Sequence, residues 1–417
     1  MVTHVLGDGS VPLSIVGAQI NFRFPLTDRY DNTNFVWNLT QSEVKAITSV
    51  VKDFAGRITG VAVAAIDDWI PTDRYALALN NTISQSLSLS TMFTAATDGD
   101  EIVLWPQITH QEPHAEMIPD HSKAVEVRGY SPLHKGWLFA RINSSAQRYD
   151  FTHTSGTARL TDLIVLNMRA HNSAQHEWTT AGDIEIESCR YINLTDNTVE
   201  GPSCWVLNGT GTIKFFNCTF WSQRMYVAVS AGTPTIEFYN CLGVAARGAW
   251  KHVFNYEAAD PGSMKIFNCA VVHKTSHVSS LTGSVATPAY DAASDFNWGP
   301  DTDVPGANSF QNTDGLLSGI SHFDAPPKGT TEAERVLDTQ MPWDWRPASR
   351  STLKGLGNFF AGMSLRDING HPRPTSGVQT IGPVNLESTN DGIPWDGLSA
   401  VSVPKASGRL YVIGILA

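Results

Sequence analysis

Between residues 125 and 269 the chain repeats one short pattern of apolar and polar positions. Four segments carry it clearly: Ile184-Glu-Ile-Glu-Ser-Cys189, Ile213-Lys-Phe-Phe-Asn-Cys218, Ile236-Glu-Phe-Tyr-Asn-Cys241 and Met264-Lys-Ile-Phe-Asn-Cys269. Two weaker copies precede them, Val125-Glu-Val-Arg-Gly-Tyr130 and Ala158-Arg-Leu-Thr-Asp-Leu163. The last residues of the six copies lie 33, 26, 29, 23 and 28 residues apart. Apolar first and third positions around a charged second position give the period-two alternation of a strand with one buried face. Asn, Asp, Ser or Gly at the fifth position suits a bend, because these residues tolerate left-handed backbone geometry. After the bend the sixth side chain turns inward again. Cys189, Cys218, Cys241 and Cys269 are therefore predicted to stack in the core, and Asn217, Asn240 and Asn268 to form a ladder of amides at the corner.

One coil of three short strands accounts for that spacing, whereas a propeller blade or a helical repeat would be longer and more regular. The predicted fold is all-β: a right-handed, single-stranded parallel β-helix with an N-terminal cap and an additional N-terminal segment. The second position supports the register independently of the apolar ones. It reads Glu126, Arg159, Glu185, Lys214, Glu237, Lys265, alternating in sign at every step. In a parallel, in-register stack these are nearest neighbours, and each opposite pair is worth roughly 0.2–1 kcal/mol. The fourth position reads Arg128, Thr161, Glu187, Phe216, Tyr239, Phe267. Its last three residues form an outward aromatic stripe, to be covered either by the chain's own loops or by a neighbouring subunit.

An open stack of strands needs covers at its ends. Residues 75–97, with Leu77, Leu79, Ile83, Leu87, Met92 and Phe93, are expected to supply a cap that is at least partly helical. Gly99-Asp-Glu-Ile-Val-Leu-Trp-Pro106 then opens the first coil, and here the sequence resembles the pectate-lyase-like family of β-helix proteins. Trp345-Arg-Pro-Ala-Ser-Arg-Ser-Thr-Leu-Lys-Gly-Leu-Gly357, Asp367-Ile-Asn-Gly-His-Pro-Arg373 and Ile381-Gly382 resemble the closing turns of the choice-of-anchor type. The resemblance implies a fold over residues 75–387 and no particular activity. The expected organisation is an attachment segment at 1–70, the capped β-helix at 71–387 with a long excursion at 273–340, and an extension at 388–417.

Composition narrows the function classes. Of 417 residues 17% are charged and the net charge is −11, which with no Lys/Arg run argues against a nucleic-acid partner. The opening residues lack a basic segment followed by an apolar one, and no apolar run is long enough to span a membrane, so synthesis in a cytoplasm is expected. Five cysteines without a CxxC pair give no support to a zinc or redox motif.

The chemistry of β-helix lyases and hydrolases needs clustered acids. Asp183, Glu185 and Glu187 share one strand, but Glu185 belongs to the charge ladder, and Asp67-Asp68 precedes the coils. The near pairs His110/His114, His171/His176 and His273/His277 lack an evident third metal ligand. Trp178, Trp205, Trp221 and Trp250 could stack on sugars, or simply pack. No catalytic, cofactor or metal residue is assigned. The favoured reading is a non-catalytic structural protein of a tailed-bacteriophage virion, a capsid decoration protein or a tail component. It would form a homotrimer on the major capsid protein or another virion protein. The alternatives are a polysaccharide-degrading tailspike or pectate-lyase-like enzyme, and a surface carbohydrate-binding or adhesion protein acting on host-surface polysaccharide.

Overall fold

The structure is a computed structural model. It describes residues 1–105 (without 27, 28, 54, 55, 67 and 87), 115–117, 122–139 (without 133 and 134), 149–167, 176–178, 181–193, 205–222, 226–245 (without 232), 255–257, 264–273, 291–299, 304–311 (without 305) and 353–385 (without 354). Within these residues the chain is built of strands with one helix, and its main body consists of three parallel sheets.

The chain visits the three sheets in turn. Glu126–Gly129 lies in the first sheet, Gly136–Phe139 in the second and Tyr149–Phe151 in the third; Thr157–Thr161 then returns to the first. Among the described residues four complete passes repeat the sequence of sheets, starting at Thr157–Thr161, Asp183–Glu187, Thr212–Phe216 and Thr235–Tyr239, and Met264–Phe267 begins another. Each strand pairs in parallel with its counterpart one pass earlier, and the register places the repeat copies directly on one another. Glu126 pairs with Arg159, Arg159 with Glu185, Glu185 with Lys214, Lys214 with Glu237, and Glu237 with Lys265.

The bend predicted at the fifth position is real. Asp162, Ser188, Asn217, Asn240 and Asn268 have φ of 54°, 55°, 52°, 53° and 53°, all left-handed. Gly129 solves the same corner differently: a Cβ there would sit 2.1 Å from the Asp162 carbonyl oxygen and 2.4 Å from the Gly136 nitrogen, a space that excludes any side chain. Past the bend, Cys189, Cys218, Cys241 and Cys269 are fully buried free thiols, joined in one core with Ile184, Ile186, Ile213, Phe215, Ile236, Phe238 and Ile266. Phe215 stacks on Phe238 with centroids 4.7 Å apart, so side chains as well as backbones repeat from coil to coil.

The amide ladder is partial. Asn268 Nδ2 donates to Asn240 Oδ1 at 3.1 Å, but Asn217 turns outward, donating to the Arg366 carbonyl at 2.6 Å and accepting from Arg373 Nε at 3.1 Å. The cap is less helical than the apolar spacing of residues 75–97 suggests. The helix is Leu89–Ala95, capped by Ser88, with Leu89, Met92 and Phe93 against the core. Leu77 lies instead on the strand Tyr75–Ala78 and Ile83 on the strand Ile83–Ser86.

The N-terminal residues are woven into the stack. Thr3–Leu6 is inserted between Ile83–Ser86 and Glu101–Leu104, parallel to both. Strands from Ser14–Val16 to Tyr75–Ala78 form a six-stranded sheet whose described pairings are antiparallel. Its core, including Ile20, Tyr30, Val36, Ile58 and Leu77, continues into Val103, Trp105 and Tyr130 of the parallel body. At this end, therefore, the first sheet is buried on both faces: Ile102 and Leu104 face the coil core, while Val103 and Trp105 face the antiparallel sheet.

Two expected outcomes follow from the register. Lys214→Glu would place three like charges in line with Glu185 and Glu237 and is expected to cost about 1 kcal/mol in denaturant unfolding, with a smaller loss at high salt. A salt-independent cost would contradict the ladder. The stacked thiols should label slowly in the native protein and fast on unfolding, since burial raises the Cys189, Cys218 and Cys241 thiols well above their ordinary value.

Candidate functional site

Charged side chains gather where three parts of the chain meet. The outer face of the first sheet carries Glu126, Arg159, Thr161, Glu185, Glu187 and Phe216. The N-terminal region contributes Arg29, and the turns of residues 355–385 contribute Arg366, Asp367 and Gly370. Together they line a cavity of about 220 Å³. The strand alternation that sends the first and third template positions into the core turns the second and fourth toward this cleft.

Each of its carboxylates has a partner within the chain. Glu126 takes both terminal nitrogens of Arg29 and accepts from Thr161 Oγ1 at 3.1 Å. Glu185 accepts from Arg159 Nε at 2.8 Å. Glu187 accepts from the Ser364 hydroxyl. Asp162 is paired with Lys135 Nζ at 3.1 Å, and Lys135 also donates to the Ile368 carbonyl at 3.0 Å. Asp367 organises its own turn, accepting from the Asn369, His371 and Asn385 amides and lying 3.4 Å from His371 Nδ1.

Burial divides these acids. It raises the Glu187 carboxyl above its ordinary value; Asp162 and Glu126 add to the rise, while Ser364 and Arg29 oppose it. Burial likewise raises Asp162, against the pull of Lys135, and lowers Lys135 itself. Asp367 moves the other way: burial would raise it, but the His371 hydrogen bond and the charges of His371 and Arg373 hold it below the ordinary range. An acid raised by burial beside other carboxylates is the raw material of acid–base chemistry. Arg29, Arg159 and Lys135, however, already occupy Glu126, Glu185 and Asp162.

The rest of the charge ladder forms ion pairs of its own. Glu237 sits between Lys265 Nζ at 3.1 Å and Lys214 Nζ at 3.9 Å. The aromatic stripe faces outward but is not open to water. Phe216, Tyr239 and Phe267 are 6–8% exposed and stack with centroids 5.3 and 5.1 Å apart. Phe359, Phe360 and Met363 cover them, with Phe360 4.5 Å from Phe267. The cover is thus the chain's own turns. The stripe does not supply the subunit interface on which a trimer was expected.

Asp183 accepts from the Thr212 amide at 2.8 Å, one coil further on, and so serves the start of the next strand. Trp178, Trp205, Trp221, His176 and His273 lie at strand positions where the structure describes the backbone alone, and His110, His114, His171, His277 and Trp250 lie outside the described residues. Among the described residues no group of three or more His, Cys, Asp or Glu could hold a metal ion, and no helix is long and apolar enough to cross a membrane. The sequence reading missed Arg29, Lys135, Ser364 and Arg366. Nothing local marks them, since each reaches the cleft from a distant part of the chain. Comparisons of the chain with family models, with curated proteins and with solved structures returned no match.

The Lys135–Asp162 pair gives a direct test of this arrangement. Lys135→Met would strand a buried carboxylate and is expected to cost on the order of 3–5 kcal/mol in denaturant unfolding. Adding Asp162→Asn, a residue suited to positive φ, should recover most of that loss. A double variant no more stable than the single one would contradict the pairing.

Proposed function

We propose that the three parallel sheets wind as a right-handed parallel β-helix and that the protein is a non-catalytic structural component of a virus particle, a capsid decoration protein or a tail component. The handedness follows the general rule that parallel strands joined by a crossover connect right-handedly in roughly 98% of cases. One observation carries the non-catalytic reading: each carboxylate lining the cleft already has a cationic, hydroxyl or backbone partner in the same chain. A substrate would have to displace those partners, and at the buried Lys135–Asp162 pair that would leave a charge uncompensated. The woven N-terminal strand and the covered stripe fit a part built for rigidity.

A polysaccharide-cleaving reading draws on the same cleft. There Glu187, raised by burial, stands as an acid among carboxylates paired with Arg29 and Arg159. Two measurements separate the readings. Fractionation of purified particles should place the chain in the virion, and incubation with host-surface polysaccharide should release no reducing or unsaturated ends. Cleavage abolished by Glu187→Gln would overturn the structural reading in favour of the enzyme, and absence from the particle would remove the virion role.

A further inference from the structure

The left-handed corners do not end at Asn268. Asn217 and Asn240 donate their backbone amides to the carbonyls of Tyr239 and Phe267, the residues just before the next corner. Asn268 donates in the same way to the Asp295 carbonyl at 3.3 Å. Asp295 bridges Phe267 in parallel, and Trp298 pairs with Ala270. Phe296 is therefore the corner of the following coil, and its φ of 56° matches the corners before it. The position after it, held by cysteine in the preceding four coils, is Asn297. Its Nδ2 donates to the Ile266 carbonyl at 2.8 Å, and its Oδ1 accepts from the Cys269 amide at 3.0 Å.

Phenylalanine suits this backbone poorly. The earlier corners use Asp, Ser and Asn, short polar residues, and Asn and Asp are the ones that visit left-handed geometry most readily. A bulky side chain at positive φ is an outlier, which persists only where its surroundings hold it. The ring of Phe296 meets the covering turns. It lies edge-on to Phe360, with centroids 5.9 Å apart. Phe360 lies 4.5 Å from Phe267, the last ring of the stripe, so it touches two side chains one coil apart. The Phe360 amide donates to Met363 Sδ at 3.3 Å, and Met363 packs on the same rings. Two further amides tie this part of the turns to the coil before. Asn358 donates to Asn268 Oδ1 at 3.0 Å and Gly382 to the Asn268 carbonyl at 2.9 Å.

We propose that Phe296 is the clamp of a closing strap, residues 355–385: the coil accepts a strained corner there so that its ring holds Phe360 over the aromatic stripe. Closed, the strap withholds Phe216, Tyr239 and Phe267 from solvent. Coil and strap thus make opposite demands on one residue. The coil favours an Asn, as at Asn217, Asn240 and Asn268, whereas the strap needs an aromatic ring. Loosening the strap need not unwind the coil, since Asn268 reaches Asp295 through backbone atoms alone.

Hydrogen exchange in the full chain tests the clamp with Phe296→Asn. The Asn358 and Gly382 amides report on the strap. The Leu242 and Ala270 amides, bonded to the Cys218 and Cys241 carbonyls, report on the coils. Strap protection should fall about tenfold with the loss of the ring contact. Coil protection should hold or rise, because Asn relieves the corner. Phe360→Leu leaves the corner untouched and should lower strap protection by a similar factor. In the double variant the two losses should overlap rather than multiply, since both remove one contact. Unchanged strap protection in Phe296→Asn, strap and coil protection falling together, or losses that multiply in the double variant would each overturn the clamp. Failure of Phe296→Asn to fold would do the same, because the corner would then need the ring for the coil itself.

Discussion

The left-handed residue at the end of each first-sheet strand is the constraint on which the rest of this molecule depends. Asp162, Ser188, Asn217, Asn240 and Asn268 each turn the chain from the first sheet into the second, with one or two residues between the strands. An ordinary L residue would lose roughly 1–2 kcal/mol in that conformation, and Asn and Asp lose less because their short polar side chains bond locally. Since a single residue takes the left-handed conformation, the next side chain again points inward, which is where the buried cysteines sit. Uniform corners also keep successive coils in step, so a charge at one template position meets the charge at the same position one coil away.

The same corners carry the outer layer. An Asn in left-handed geometry presents its amide away from the core. Asn217 spends that amide on Arg366 and Arg373, and Asn268 spends it on Asn358 as well as on Asn240. A residue chosen for backbone reasons thus becomes the attachment point of the covering turns. Those turns in turn bury three rings that the strand alternation had forced outward. Apolar cover and polar pins are consequences of one repeated backbone geometry.

This division explains what was legible in the sequence. The coils were readable because their determinants are local and repeated: alternation, bend residue and charge sign recur within six residues and again about one coil later. The register of Glu126, Arg159, Glu185, Lys214, Glu237 and Lys265 followed from that recurrence and agrees with the observed pairing. The cleft was not readable. Glu187 meets Ser364 across 177 positions, Lys135 meets Ile368 across 233, and Glu126 meets Arg29 across 97. No periodicity connects such pairs, and a lone Ser or Arg carries no sign of its partner. The stripe was legible as outward-facing, but Phe359 and Phe360 lie too far along the chain for their contact to be inferred.

The N-terminal strand makes residues 1–70 part of the stack's own structure. Thr3–Leu6 supplies backbone hydrogen-bond partners to Ile83–Ser86 on one side and Glu101–Leu104 on the other, so it is an interior strand of the parallel sheet. Removing it would expose two strand edges and uncover Leu104 beneath the cap. Its polar side chains add to the anchorage, with His4 3.3 Å from Asp100 and Thr3 bonded to Glu101. The antiparallel sheet that follows shares its core with Trp105 and Tyr130. Docking on a partner through this region would therefore be transmitted to the coils through packed side chains and continuous hydrogen bonding. Residues 1–70 are thus tied to the stack by hydrogen bonding and shared packing, while Leu13, just before the strand Ser14–Val16, and Val16, at its end, are exposed.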